Sequence, residues 1–366
     1  MSAVSSKTLL INRRNLSEFK FQQEETDIDS LPENSVLFAI DRVSITANNI
    51  TYAVLGDRMK YWHFFPADDD WGKLPVWGFA NVVASNLQDI AVGERFYGYF
   101  PLASHLLVHP AKLSDFGFMD GAPHRTELPR IYNYYSRCSN DAIYRMETEN
   151  LQALLRPLFT TSFLLDDYLA ESDFNGAATI LVSSASSKTS LGLAFMLKRN
   201  RSARRTYRII GLTSPGNVEF TESSGLYDSV VTYDMVPTLD NSESAAFADM
   251  AGNQSLTSQL HNHYDKKMLL SCQIGLAHWQ DFGSPSEMPG AKPAWFFAPD
   301  QAVKRNKEWG QQQFQTRLGE AWHEFTAIAD SWLKTKEHST DEAIQNIYLA
   351  TLSGNASPTT GHIIRF

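Results

Sequence analysis

The chain has little cysteine. Of its 366 residues only Cys138 and Cys272 are cysteines, and neither sits in a Cys-x-x-Cys pair. Two thiols so placed exclude a four-cysteine structural zinc site, and a reducing compartment disfavours a disulfide between them. Long apolar runs are also missing. The opening MSAVSSKTLLINRRNLSEF lacks the unbroken apolar core of a secretory leader, and no stretch approaches the roughly 20 residues of a membrane span, so a cytoplasmic protein without a membrane partner is expected. Basic charge is not in excess. Thirty-two Lys and Arg stand against 41 Asp and Glu, a formal charge of −9, which disfavours a broad nucleic-acid or anionic-lipid surface.

What is present divides into two kinds of pattern, and the length suits two domains. From Ser35 to about Leu113 short β-rich runs alternate with turns: VLFAIDRVSIT, VWGFANVVAS, ERFYGYFP and ASHLLVHP. Such spacing suits a small barrel-like domain. Between the first two runs, YWHFFPADDDWGKLP sets four aromatics, Tyr61, Trp62, Phe64 and Phe65, ahead of three successive aspartates, as an anchored loop or as a pocket wall. Asn150 to Glu171 has apolar residues at helical spacing around Pro157, so a helix kinked or split there is expected to bridge the halves.

Beyond it the pattern changes. ATILVSS, YRIIGLTS, SVVTYD and KKMLLSCQIG are buried-strand runs alternating with helical stretches such as TSLGLAFMLKR, the signature of a doubly wound parallel sheet. A long helix is expected from about Asn306 to Leu333, with Phe314, Leu318, Trp322, Phe325, Ile328 and Trp332 forming a core or interface stripe. The tail ends in a strand-like HIIRF.

Glycine is absent where it would be most diagnostic. The turn after ATILVSS reads Ser183-Ser184-Ala185-Ser186-Ser187-Lys188-Thr189-Ser190-Leu191-Gly192, without GxGxxG. Small residues there let backbone amides approach a pyrophosphate at a helix N-terminus, making Ser184, Ser186, Ser187, Lys188 and Thr189 candidate cofactor contacts. The same residues also suit an ordinary serine-capped helix. The next strand ends in Thr213 and Ser214 with no carboxylate where NAD's ribose would want one, which favours NADP(H), its 2′-phosphate meeting Lys188, or Arg208 if the fold turns that side chain inward.

In this order the pieces resemble the medium-chain dehydrogenase/reductase superfamily, specifically its zinc-free, quinone-oxidoreductase-like branch. NNITYAVLGD, SASSKTS, SCQIGLAHW and FFAPDQAVKR are similar to a related group known only as a domain of unknown function. The resemblance implies an α/β protein with a GroES-like β-domain (residues 1–153 and 300–366) and a Rossmann-type domain (154–299). It implies an NADP(H)-dependent reductase of a carbonyl, quinone or activated alkene, with hydride transfer in an interdomain cleft, and it admits a homodimer. No cysteine stands where the superfamily's zinc enzymes have their first ligand, so no metal is expected.

Without a metal, hydrogen-bond donors must stabilise negative charge developing on oxygen. The resemblance places Tyr52 at that task, with Asn48 or Asn49 orienting a substrate and His278 as a second proton-transfer candidate. It runs the backbone at Gly275 beside the nicotinamide. Lys304 and Arg305 read as a phosphate contact or a solvated helix face. A non-catalytic nucleotide-binding or protein-interaction relative is the rival expectation.

Overall fold

The computed structural model describes residues 3–68, 70–274 and 288–366. They form two compact units: residues 1–157 with 333–366, and residues 158–332.

Unit 1 begins with a hairpin absent from the sequence reading, β1 (Ala3–Asn12) and β2 (Phe19–Asp27), extended by β4 (Trp71–Lys73) into a three-stranded sheet. The larger sheet contains β3 (Val36–Ile45), β5 (Pro75–Ser85), β6 (Arg95–Pro101), β7 (His105–Val108), β8 (Pro110–Ser114), β9 (Gly117–Asp120) and β10 (Tyr134–Arg137). Between β3 and β4 the chain forms a helix, α1 (Ala47–Val54). Gly78 is obligatory in β5, since an added Cβ would stand 2.0 Å from the Arg42 carbonyl oxygen of β3.

The chain leaves unit 1 on α2 (Glu149–Glu171), which runs through Pro157 as one helix instead of splitting. Proline at 157 cannot bond the carbonyl four residues earlier, that of Ala153. The hydroxyl of Ser44, buried on β3, donates to that carbonyl at 2.8 Å. Ser44→Ala is therefore expected to cost about 1–2 kcal/mol in urea unfolding. In a Pro157→Ala background, where an N–H returns, most of that cost should vanish.

Unit 2 is built on six parallel strands: β11 (Thr179–Val182), β12 (Arg208–Thr213), β13 (Ser229–Thr232), β14 (Ala245–Asp249), β15 (Met268–Ile274) and β16 (Ala294–Phe296). Their order is β13-β12-β11-β14-β15-β16, the doubly wound arrangement. Its helices are α3 (Lys188–Asn200), α4 (Val218–Ser223), α5 (Gln254–Tyr264), α6 (Ala298–Trp309) and α7 (Gln311–Trp332).

The single long helix expected near the end is two, broken at Gly310, whose φ of 81° leaves the helical region. On α7, Phe325 stacks on Phe159 of α2 at 4.6 Å and meets Phe195 of α3 at 5.3 Å, while Ile328 stays 37% exposed, outside the stripe. This packing keeps α6 and α7 in unit 2, so the chain returns at Leu333 rather than near residue 300. Unit 1 is completed by β17 (Lys334–His338), α8 (Asp341–Leu352) and β18 (Thr360–Arg365). In β18, fully buried Ile363 and Ile364 pair with β3.

Candidate functional site

In unit 2 the sheet changes winding direction between β11 and β14, where ligands of such sheets sit beyond the carboxyl ends of the strands. Three serines perform there what glycines usually do. Ser184 takes the tight turn in the left-handed region, φ 48°. Ser187 caps α3, its hydroxyl accepting the Ser190 amide at 3.2 Å. Ser190, fully buried, lets the helix approach the strand and donates to the Ser183 carbonyl at 2.9 Å. Their regular spacing, 184, 187 and 190, was the signal available in the sequence.

The left-handed turn strains a serine. Ser184→Gly should stabilise the fold by about 0.5–1 kcal/mol, net of glycine's extra unfolded-state entropy, seen as a higher Tm.

Around the turn, the buried Ser183 hydroxyl donates to Asp249 at 2.8 Å and accepts the Met250 and Ala251 amides. The Tyr233 hydroxyl accepts the Ser184 amide, and that of Tyr227 donates to the Ala185 carbonyl. Asp249, Tyr227 and Tyr233 were not anticipated, because they lie far along the chain from the turn they hold.

The turn suits an anionic group. The amides of Ser186 and Thr189 make no hydrogen bond among the described residues, leaving donors at the start of a 13-residue helix. Lys188 is the first helical residue, and burial brings its pKa down to about 8. A cation at a helix N-terminus opposes the macrodipole, a cost that a bound phosphate would relieve. Thr213 Oγ1 lies 3.5 Å from Ser186 Oγ, and Ser214 accepts a hydrogen bond from Asn217, so the end of β12 borders the turn with no acid. Arg208, by contrast, starts β12 at the amino end of the sheet and pairs with Glu243 at 3.1 Å, away from the crevice. Gly275 and His278 lie outside the described residues.

In unit 1, α1 places Asn48 and Tyr52 one helical turn apart. Asn48 Nδ2 donates to the Tyr52 hydroxyl at 2.7 Å, and Trp77 Nε1 reaches it at 3.4 Å. The Tyr132 ring meets those of Tyr52 at 6.1 Å and Tyr61 at 5.8 Å, edge to face. The Tyr52 ring packs on Tyr61 at 4.6 Å and on Tyr99 at 5.5 Å. Burial, then the neighbouring Tyr61, hold the Tyr52 phenol well above the usual tyrosine pKa.

Asn49 does a different job. Its Oδ1 accepts the Thr46 amide and its Nδ2 donates to the Pro75 carbonyl, so its amide is committed to anchoring α1. Sequence reasoning missed Trp77 and Tyr61, and left the Tyr132 block between pocket and packing; the structure puts Tyr132 in the cluster. Lys304 and Arg305 are tied to Glu171 and Asp167, as neither phosphate ligands nor a bare solvated face. Burial pushes Cys272 up to about 12, as inert packing requires.

The GroES-like antiparallel unit and the Rossmann unit together define the fold of the medium-chain dehydrogenase/reductases. Residues 43–357 match the family described as "Protein of unknown function (DUF2855)", and the chain belongs to that family. No curated protein matches it by sequence.

Among solved structures, an oxidoreductase from Salmonella enterica in complex with NADP has a TM-score of 0.57 at 11% identity, over 99% of both chains. A mutant enoyl thioester reductase from Candida tropicalis scores 0.55 at 13% identity, covering 99% of this chain and all of its own. A candidate NADPH:quinone reductase from Bacillus thuringiensis scores 0.56 at 14% identity, over 99% of both chains. At these identities the shared property is the fold. No helix among the described residues is long and apolar enough to cross a membrane.

Proposed function

We propose that the protein is an NADPH-dependent oxidoreductase that reduces an activated carbon–carbon or carbon–oxygen double bond, with Tyr52 as the proton-holding group. The observation that carries the reading is the turn at the sheet's switch point: a left-handed Ser184, Ser186 and Thr189 amides without hydrogen bonds among the described residues and a desolvated Lys188, beside a strand end without a carboxylate. Ser184, Ser186, Ser187 and Thr189 would hold the pyrophosphate, and Lys188, Thr213 and Ser214 the ribose phosphate. When bound, the dinucleotide supplies the hydride. Tyr52 keeps its proton near neutral pH, and Asn48 and Trp77 place two N–H groups on its oxygen, so a phenolate left after proton donation would be stabilised where it forms. The three solved relatives act as fold precedents for this chemistry.

NADPH should raise Tm, with stabilisation of about 2.7 kcal/mol at a hundredfold excess over Kd. Absence of any shift with millimolar NADPH or NADH would overturn the reading. One observation favours the non-catalytic alternative: Tyr52 is only 4% exposed within its aromatic cluster. NADPH binding without consumption across a panel of enones, quinones and aldehydes would select that alternative.

A further inference from the structure

Phe64 and Phe65, which pack against Tyr99, also line a separate cavity of 340 Å³ wholly within unit 1. None of Tyr52, Tyr61, Trp77 or Tyr132 borders it. Its volume lies at the small end of ligand pockets, which run from about 300 to 1,000 Å³. One wall is apolar, with Leu37, Phe64, Phe65 and Pro66. The titratable lining is Lys73, His105, His109, His124 and Arg125 against Glu24 and Asp120.

Arg125 is the informative member. It is 1% exposed; Nε donates to the Phe64 carbonyl at 3.0 Å, and Nη1 reaches Asp120 Oδ2 at 3.2 Å and the Tyr135 hydroxyl at 3.3 Å. Nη2 makes no hydrogen bond among the described residues. Asp120 Oδ1 accepts the His109 and Ala122 amides, and Oδ2 faces Nη1. Three histidines invite a metal, but no group of three His, Cys, Asp or Glu among the described residues is arranged to hold one.

We propose that this cavity binds a small organic oxyanion, its carboxylate or phosphoryl head on Arg125 Nη2 and the imidazoles and its apolar body against Phe64 and Phe65. Burial holds His105 and His124 below the ordinary imidazole pKa. One nitrogen of His124 already faces the Phe64 carbonyl at 3.3 Å, so donation to an anion through the other requires the imidazolium, and binding takes up a proton. Lys73 adds positive charge to the rim, and Glu24 opposes it.

The experiment is a histidine NMR titration of the full chain with two probes, benzoate and inorganic phosphate. The site predicts saturable shifts confined to His105, His109 and His124, with the pKa of His105 and His124 moving up. Benzoate should bind more tightly than phosphate, because only it fills the apolar wall. His124→Gln, at a partly exposed position, should fold normally and weaken benzoate about tenfold. Imidazoles unmoved by either probe, phosphate binding at least as tightly as benzoate, or affinity untouched by His124→Gln would each overturn the proposal.

Discussion

Tyr52→Phe is expected to lower kcat for the proposed NADPH-dependent reduction by about 10²–10⁴-fold, the range for removal of a general acid, while NADPH affinity stays unchanged. The hydroxyl it removes is the one on which Asn48 and Trp77 converge, at 2.7 and 3.4 Å, and phenylalanine preserves the ring contacts with Tyr61 and Tyr99. Steady-state kinetics of the variant, paired with its melting temperature, separate chemistry from packing. If kcat holds and only Tm falls, the phenol is structural. The pH profile adds a second check. Burial raises the Tyr52 pKa above the ordinary tyrosine value, so no loss of rate near pH 10 should come from this group losing its proton.

Lys188 produces the second large effect. Replacing it with methionine should weaken NADPH by about 10–100-fold, the scale of a hydrogen bond to a charged group, and should weaken NADH far less if the ammonium meets the 2′-phosphate. Burial lowers its pKa to about 8 from an unfolded value of 10.5. Two opposite pH trends follow. NADPH affinity falls as pH rises through about 8, because the cation is lost. Without NADPH, this residue's contribution to fold stability rises between about pH 8 and 10.5, because the unfolded chain binds the extra proton there. Calorimetric titration of NADPH at pH 7 and pH 9, in the wild type and Lys188→Met, reads the first trend; urea unfolding from about pH 8 to 10.5 reads the second. A pH-independent affinity, or one shared by the variant, would place the ammonium away from the phosphate.

Much of the fold was legible because alternation and helical spacing are properties of neighbouring residues. The apolar run Thr179–Val182 is buried on both faces of a parallel sheet and looks it in the sequence. The hairpin Ala3–Asp27 was not legible: Phe19–Asp27 is mostly polar and has no buried residue, and its pairing is visible only once β1 lies beside it. Pro157 misled in the expected direction. A proline rule reads the chain locally, whereas the Ser44 hydroxyl that donates to the orphaned carbonyl comes from 109 residues away.

The candidate site divides along the same line. By itself the sequence determined that the turn after β11 would be small and serine-rich, that no acid would follow β12, and that a tyrosine would stand seven residues after Ile45. Composition and order along the chain are sufficient for such statements. Only the tertiary structure decided that Ser184 is left-handed, that Asp249 grips Ser183 across 66 residues, that Asn48 rather than Asn49 meets Tyr52, and that Arg208 faces the wrong end of the sheet. Each depends on groups brought together by packing, and the energy of a hydrogen bond or an ion pair depends on distance in space, of which the sequence is a poor measure.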